Sequence, residues 1–299
     1  METISVLLDT DIGSDIDDAV ALAYLLKHPA CELLGVTTVS GEPAKRAELA
    51  SAICHAAGRP EVPIHVGAAD PILVEQPQKH ASQHEALSEQ WTHDKYEASP
   101  TALEFLRQTI RSRPGEITLL PIGPLTNIAL LFALDPELPA LLKQIVIMGG
   151  RFFSKSREGH VVEWNMLCDP HAAAKVFKAP VPKFIAVGLD VTMQCQMDAD
   201  ECRRRFTEVA GPLAPVAAMA EVWFRHTNQV TFHDPLAAAL IFEPNLCELD
   251  TCHIEVDVLN GPTMGHTYHR YHTNQSPHQV AHSVDVKGFF EHYFSVVAS

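Results

Sequence analysis

Short apolar runs alternate with helical patterns through the first two-thirds of the chain, and this alternation constrains the fold more than any other feature. The apolar runs cover residues 4–8, 33–39, 64–66, 117–121, 145–148 and 184–187, and helical patterns cover 17–26, 43–57, 125–134 and 171–177. Continuous apolar strands that alternate with helices are typical of a parallel sheet buried on both faces. We therefore predict an α/β fold, with a Rossmann-like, mostly parallel sheet and helices on both faces.

Two polar stretches interrupt this pattern. Residues 70–100 contain Pro71, Pro77 and Pro100 among many Gln, His and Glu residues, and residues 151–162 form a second irregular stretch. Long loops in compact domains commonly carry function. After residue 212 we expect helices, a hairpin from 254–258 and 266–271, and a closing helix over 286–297. Since no repeat or linker is visible, we predict one domain over 1–299 with a C-terminal helical and hairpin part.

The charge balance limits the partners of this chain. With 22 Lys and Arg against 37 Asp and Glu, the net charge of −15 repels phosphate backbones, so we expect no nucleic-acid partner. No apolar stretch approaches the roughly 18 residues of a membrane span, and we expect no membrane partner and no signal peptide. The seven cysteines contain no Cys-x-x-Cys pair, which favours reduced thiols in a cytoplasmic protein.

Five aspartates lie between residues 9 and 18, directly after one predicted strand and before a helix. They are Asp9, Asp11, Asp15, Asp17 and Asp18. Gathering so many carboxylates costs free energy unless a cation neutralises them, and Ca²⁺ and Mg²⁺ prefer such oxygen ligands. An acidic helix cap explains one or two of these residues but not five. The spacing is not that of an EF-hand loop.

The aspartate cluster also allows a second interpretation. Asp9-Thr-Asp11 is similar to the start of Asp-x-Asp phosphatases, in which Asp9 would be the nucleophile and Mg²⁺ the cofactor, although Gly13 departs from that pattern. With either interpretation, the cluster would lie at the carboxyl end of a strand, where ligands of parallel sheets bind.

Seven segments, taken together, resemble the inosine-uridine-preferring nucleoside hydrolase family. In chain order they are Asp9-Thr-Asp11-Ile-Gly13 with Asp17-Asp18-Ala19, Val36-Thr-Thr-Val-Ser-Gly41, Pro121-Ile-Gly-Pro-Leu-Thr-Asn127, Met148-Gly-Gly150, Glu163-Trp-Asn165 with Asp169-Pro170, Gly188-Leu-Asp-Val-Thr192, and His233-Asp234-Pro-Leu236. The resemblance implies the nucleoside hydrolase fold and cleavage of the N-glycosidic bond of a ribonucleoside. The reaction would pass through an oxocarbenium-like state, with a Ca²⁺-bound water attacking the anomeric carbon.

The same resemblance implies a role for each matching residue. The Ca²⁺ ligands would be Asp11, Asp18, Asp234 and the main-chain oxygen of Ile122, with Asp15 as a further candidate. The substrate contacts would be Asp17, Glu163, Asn165 and Met148, with Glu42 adding an anion beside the ribose where the family has Asn. Asp11 would act as general base and His233 as the acid that protonates the leaving base. The family also implies a homodimer or homotetramer that binds a small-molecule nucleoside.

Several alternatives remain open at this stage. His233 is also explained as a neutral histidine at a helix start, Met148 as core, and Glu163 and Asn165 as polar loop residues. The loop histidines that could reach the substrate are His80, His84 and His160. The altered Glu42 and the short loop before Glu163 also fit a Ca²⁺-dependent ribose-binding protein without catalysis. Five histidines between residues 266 and 282 could bind zinc, but an exposed hairpin is favoured.

Overall fold

The computed structural model describes residues 3–153, 162–270 and 277–299. The strands are β1 (Ile4–Thr10), β2 (Cys31–Thr38), β3 (Ile64–Val66), β4 (Ile117–Pro121), β5 (Gln144–Met148), β6 (Phe184–Val187), β7 (Gln196–Asp198), β8 (Gln229–Thr231), β9 (Cys247–Val256), β10 (Thr267–Arg270) and β11 (His278–Val284). The helices are α1 (Asp17–Lys27), α2 (Pro43–Ala56), α3 (Ala102–Ser112), α4 (Thr126–Leu134), α5 (Leu138–Leu141), α6 (Trp164–Cys168), α7 (Pro170–Phe177), α8 (Leu189–Thr192), α9 (Ala199–Val209), α10 (Leu213–Trp223), α11 (His233–Leu240) and α12 (Val286–Val297).

Nine of these strands form one sheet in the order β10-β9-β11-β6-β5-β4-β1-β2-β3. All neighbours from β3 to β11 are parallel, while β9 runs antiparallel to β11 and β10 antiparallel to β9. The prediction of a mostly parallel α/β sheet is confirmed. The short strands β7 and β8 pair separately as an antiparallel ribbon.

Both faces of the sheet are buried because successive strand residues enter different hydrophobic clusters. In β1, Val6 and Leu8 pack on one side with α1, α2, α10 and α11, whereas Leu7 packs on the other with α3, α4 and α7. Side chains of a strand alternate between faces, so only an apolar run can satisfy both clusters. This double burial explains why the strands of the first half could be recognised as apolar runs.

The chain reverses its direction of sheet growth between β1 and β4. β2 and β3 extend the sheet from one side of β1, and β4, β5 and β6 extend it from the other. Ligands of open parallel sheets bind at such a switch point, beyond the carboxyl ends of the strands. Here the segments after β1 and β4 touch: the N–H of Ile122 donates to the carbonyl of Asp9 at 2.8 Å. A Cβ on Gly123 would lie 2.5 Å from Asp11 Oδ1, so the close approach requires glycine.

The long polar segments behave partly as expected. Residues 70–100 contain only the short 3₁₀ helix Ser82–Ala86, and β9 and β10 form the predicted hairpin. The exposed role predicted for the histidines of the C-terminal region is wrong for His278. β11 lies between β6 and β9, so His278 is buried, bonds the carbonyl of Phe177 at 2.8 Å, and has its pKa lowered by burial to about 4. The longest described helix, α2, has 14 residues, and no described helix combines the length and apolarity of a bilayer span.

Candidate active site

Two helix N-termini meet at the switch point and bring three aspartates together. Asp17 and Asp18 occupy the first turn of α1, and Asp234 occupies the first turn of α11. All three are buried, and one carboxylate oxygen from each lies within 4.8 Å of the others. The main-chain N–H of Asp234 donates to Asp17 Oδ2 at 3.1 Å, which joins the two helices directly.

A bound cation would neutralise the negative charge of these three buried carboxylates. Burial raises the pKa of Asp17, Asp18 and Asp234 well above the ordinary value, and the negative charges of nearby carboxylates, including Asp11 and Asp15, raise it further. The partial positive charges at the starts of α1 and α11 compensate only a fraction of three carboxylates. A donor set made entirely of carboxylate oxygens suits a hard divalent ion. These residues therefore fit a metal site. The group contains Asp17, whereas the carboxylate ligands predicted from the sequence were Asp11, Asp18 and Asp234.

The trio lies in a cleft of about 530 Å³. Of the predicted site residues, the cleft is lined by Asp11, Asp15, Asp17, Asp18, Ile122, Met148, Glu163, Asn165, His233 and Asp234. These residues come from both halves of the chain and from five different segments. The sequence thus selected residues that the fold brings together, although their individual roles remain predictions.

Asp11 and Ile122 lie side by side after β1 and β4. The carboxylate of Asp11 accepts a hydrogen bond from Gln78 Nε2 at 2.6 Å, and burial raises its pKa while the charge of Arg46 opposes that rise. The carbonyl of Ile122 accepts from Asn165 Nδ2 at 2.7 Å. Asn165 therefore orients the main-chain oxygen that the sequence predicted as a metal ligand.

Glu163 caps α6 and faces the cleft at the same time. Its carboxylate accepts hydrogen bonds from the N–H groups of Gly150 at 3.0 Å, Asn165 at 2.8 Å and Met166 at 3.2 Å. Burial nevertheless raises its pKa to about 7. Glu163 is therefore a fixed acceptor, not a loose polar residue of a loop.

Met148 serves the core and the cleft together. It ends β5, is 4% exposed, packs in the cluster that also contains Leu120 and Val146, and lines the cleft wall. Met148 is therefore both a residue of the hydrophobic core and part of the cleft wall. Its sulfur and carbonyl both lie near the Asn165 amide, at 3.6 and 3.3 Å.

His233 begins α11, and its Nδ1 atom lies 2.7 Å from the hydroxyl of Thr192. Although an adjacent carboxylate such as Asp234 favours the imidazolium form, burial dominates and lowers the pKa of His233 to about 4. When the Thr192 hydroxyl donates to Nδ1, the neutral ring carries its proton on Nε2. His233 then presents a neutral N–H donor, not a cation.

Several predicted or alternative residues lie outside the cleft. Glu42 is held by Lys45 at 2.6 Å and by the N–H of Ala81 at 3.1 Å, and it does not line the cleft. His80 is exposed, and His84 bonds Glu48 at 2.7 Å. His160 lies outside the described residues.

Sequence reasoning missed several residues that shape the site. Gln78 and Trp164 line the cleft near Glu163, and Val222, Trp223 and His226 line it at the end of α10. Gln78 belongs to the long polar loop, where no periodic pattern distinguishes one glutamine from the next. Trp164 was visible only as the variable position of a motif.

Arg46 was also missed, because an arginine in a helix ordinarily suggests a solvated surface. Its guanidinium is fully buried and donates to the carbonyls of Ser40 at 2.7 Å and Ile12 at 3.0 Å, and to the carbonyl of Asp11. It thereby fixes the main chain of the aspartate turn and places one positive charge beneath it.

Comparison with solved structures establishes the class to which this fold and cleft belong. The purine-preferring ribonucleoside hydrolase from Gardnerella vaginalis superposes with a TM-score of 0.85 and 25% identity over 98% of both chains. A plant nucleoside hydrolase, the PpNRh1 enzyme, superposes with a TM-score of 0.85 and 24% identity over 99% of both chains. The architecture is therefore the nucleoside hydrolase fold.

Sequence comparison identifies the family. Residues 6–291 match the family described as inosine-uridine preferring nucleoside hydrolase. Uridine nucleosidase 1 from Arabidopsis thaliana is 29% identical over 96% of this chain and 90% of its own length. The pyrimidine-specific ribonucleoside hydrolase RihA from Shewanella baltica is 33% identical over 88% of this chain and 85% of its own. The chain belongs to the inosine-uridine preferring nucleoside hydrolase family and is an N-glycosyl hydrolase of ribonucleosides, as its resemblance predicted.

Proposed function

We propose that this protein hydrolyses an uncharged ribonucleoside to free base and ribose, with Ca²⁺ held by Asp17, Asp18 and Asp234. The observation that carries the proposal is the convergence of these three buried carboxylates in one cleft. Among the described residues that line the cleft there is no Lys or Arg, so nothing there would compensate the phosphate of a nucleotide. The substrate expected on electrostatic grounds is therefore a nucleoside.

The bound ion would supply positive charge that offsets the carboxylates and polarises water and the ribose hydroxyls. Asp11 and the Ile122 carbonyl complete the rim of the proposed ion site, and Asp15 borders the same cleft. Asp11 accepts the proton of the attacking water at a carboxylate oxygen. Glu163 and Asn165, both held by hydrogen bonds, orient the ribose, and Met148 packs against it. Holding the reactants in this way contributes through orientation.

His233 is proposed to face the departing base. As negative charge develops on the base, the Nε2–H of the neutral ring donates a hydrogen bond to it, while Thr192 keeps the ring oriented. Trp223 and Leu189 offer apolar surface at the same part of the cleft. Since two relatives are named for uridine or pyrimidine nucleosides, uridine is the first base to test.

The two alternatives are less well supported. A phosphatase would require Asp9 to reach its substrate, yet Asp9 is fully buried, bonds Thr37 and Asn127, and does not line the cleft. A binding protein without catalysis would rely on an altered ribose site. However, the residue that motivated this idea, Glu42, lies outside the cleft, whereas Asp11 and His233 lie within it.

The proposal is tested by incubating the purified protein and Ca²⁺ with uridine, cytidine, inosine and adenosine and measuring free base and reducing sugar. Hydrolysis of at least one riboside, lost in EDTA and in Asp11→Asn, is expected. Nucleoside binding by calorimetry without turnover would instead establish the binding protein. Phosphate release from phosphomonoesters that disappears in Asp9→Asn would establish the phosphatase.

The remaining expectations stay predictions. We propose that residues 1–299 form one catalytic domain because a single nine-stranded sheet includes strands from both ends of the chain. A homodimer or homotetramer is expected from the family and is measured by light scattering of the purified protein. A cytoplasmic location is favoured by seven cysteines that are all free thiols.

A further inference from the structure

The long loop over residues 70–100 is firmly attached beside the aspartate turn. Gln76 donates to the carbonyl of Ala69 and accepts from the N–H of Gln78 at 2.9 Å, which closes a local turn. The main chain of Gln78 passes directly against Gly41, where a Cβ would lie 2.2 Å from the Gln78 carbonyl. Gly41 also adopts a φ of +60°, so both its backbone conformation and the lack of space for a Cβ favour glycine at this position. The backbone at residue 78 is thereby fixed.

From this backbone, the Gln78 side chain enters the cleft and is only 6% exposed. Its Nε2 donates to Asp11 Oδ2 at 2.6 Å and to Ser14 Oγ at 2.8 Å. Its Oε1 accepts from the indole N–H of Trp164 at 2.6 Å and from the Cys168 thiol at 3.8 Å. Both amide hydrogens and both carbonyl lone pairs are used, so the carboxamide is fully satisfied.

This set of partners leaves the amide only one orientation. Rotating the carboxamide by half a turn would place its oxygen against the Asp11 carboxylate and its N–H groups against the indole N–H, and both contacts would be repulsive. Trp164 therefore determines which end of Gln78 faces Asp11. Trp164 is 48% exposed at the rim of the cleft, and its indole N–H, the single polar group of the side chain, donates to Gln78.

The Asp11 carboxylate is held from the long loop, unlike its neighbours in the aspartate turn. Asp18 accepts from Thr10 at the end of β1, and Asp9 accepts from Thr37 of β2 and from Asn127 of α4. Asp11 is oriented by an amide 67 positions away, on a loop outside the sheet. The loop and the rim tryptophan are thus coupled to the carboxylate proposed to accept the water proton.

We infer that Gln78 is a positioning residue for hydrolysis, which sets the direction of the Asp11 carboxylate and couples it to Trp164 through a single amide. The inference rests on the role proposed above for Asp11. Gln78 is the side chain through which the loop over residues 70–100 takes part in positioning Asp11.

The test compares Gln78→Met with Gln83→Met. Methionine matches glutamine in size but removes its hydrogen bonds. Gln83 is an equally buried glutamine of the same loop, and its amide donates only to the main-chain carbonyl of Ser14 at 3.0 Å. Misplacement of a catalytic group typically costs up to about 100-fold in rate, so we expect Gln78→Met to lower kcat roughly 10- to 100-fold with little change in KM. Gln83→Met should keep kcat near that of the wild type.

Trp164→Phe supplies a second variant at a half-exposed position that is expected to fold. It should lower kcat by roughly 3- to 10-fold, and combining it with Gln78→Met should add less than about a twofold further loss, because both variants remove one coupled contact. Multiplicative losses in the double variant would overturn the coupling. A wild-type kcat in Gln78→Met, or an equal loss in Gln83→Met, would overturn the positioning role.

Ca²⁺ titration by calorimetry separates this inference from the proposed function. If the wild type binds Ca²⁺ but hydrolyses no riboside, the proposed function fails, and the inference is judged by affinity alone. Gln78→Met should then weaken Ca²⁺ binding roughly tenfold while Gln83→Met does not, since a displaced Asp11 no longer borders the ion. Unchanged affinity in Gln78→Met, or absence of Ca²⁺ binding in the wild type, would overturn it.

Discussion

Replacing Asp234 with asparagine should stabilise the metal-free protein and abolish its response to Ca²⁺. Asp234, Asp17 and Asp18 lie within 4.8 Å of one another through their carboxylate oxygens and are all buried. Their pKa values are raised by burial and by the charges of nearby carboxylates, so without an ion each carboxylate either repels its neighbours or stays protonated at a cost. An amide of the same shape removes one charge and keeps the packing.

The size of the effect follows from two limits. Two unit charges separated by 4.8 Å repel by roughly 3.5 kcal/mol at an effective dielectric constant of about 20. Keeping one carboxyl protonated at neutral pH costs at most about 4 kcal/mol, which caps the gain. Allowing for partial protonation and relaxation, we expect a gain of about 1–3 kcal/mol in the free energy of unfolding. For a chain of this size that corresponds to an increase of roughly 2–6 °C in Tm.

Ca²⁺ should reverse the order of stability. An ion at a free concentration 100-fold above its Kd stabilises the wild type by about 2.7 kcal/mol, whereas Asp234→Asn has lost one of its ligands. Calorimetric unfolding in EDTA and in Ca²⁺ measures both states of both proteins. The variant should be the more stable protein in EDTA and the less stable one in Ca²⁺.

Asp169→Asn provides the matched control. Asp169 is also buried, but it accepts hydrogen bonds from Thr126 at 2.7 Å and from the N–H groups of Ala172 at 3.0 Å and Ile72 at 2.9 Å. Asparagine keeps one acceptor oxygen for the helix cap but turns its amide N–H₂ group toward the Ile72 N–H, and this unpaired donor should lower stability by about 1–3 kcal/mol with and without the ion. If Asp234→Asn is destabilised in EDTA as Asp169→Asn is, or retains the wild-type Ca²⁺ response, the electrostatic reasoning is refuted.

Two further predictions concern Asp9 and His233. Burial raises the pKa of Asp9 from 3.8 to about 7, so its contribution to stability is present below pH 4 and lost as the pH rises toward 7. Asp9→Asn, measured by urea unfolding, should match the wild type near pH 4 and exceed it by up to about 4 kcal/mol above pH 7; a constant difference would contradict this. His233→Gln should lower kcat for uridine by about 10²–10⁴-fold but hardly affect a 4-nitrophenyl riboside, whose leaving group needs no proton. Equal losses on both substrates would argue against leaving-group assistance.

Most of the sheet was predictable because its signal is local. The six parallel strands from β1 to β6 match the apolar runs to within two residues at either end, since burial on both faces favours apolar side chains. The exposed, polar strand Gln196–Asp198 gave no such signal. Nor could the place of β11 be predicted, because insertion between β6 and β9 depends on long-range pairing, not on local sequence.

The candidate site was predictable as a set but not in its internal arrangement. The aspartates, Glu163 and His233 were identified by type and order. Whether Asp11 or Asp17 lies nearest to Asp234 depends on how α1 packs against α11. The periodicity of the sequence does not predict this packing. Gln78 and Arg46 reach Asp11 and Ile12 through hydrogen bonds made over 34 or more positions, and no spacing rule distinguishes them from ordinary loop and helix residues.

The hydrogen bond between Asp234 and Asp17 joins residues 217 positions apart, so the site cannot form until the ribosome has synthesised the chain between them. At about 5–20 residues per second, a ribosome needs roughly 10–45 s to travel from one codon to the other. Throughout that interval the nascent chain exposes an unfinished anionic turn with no third ligand. The proposed ion site can therefore form only late in synthesis, and translation products that stop before residue 234 should bind no ion there.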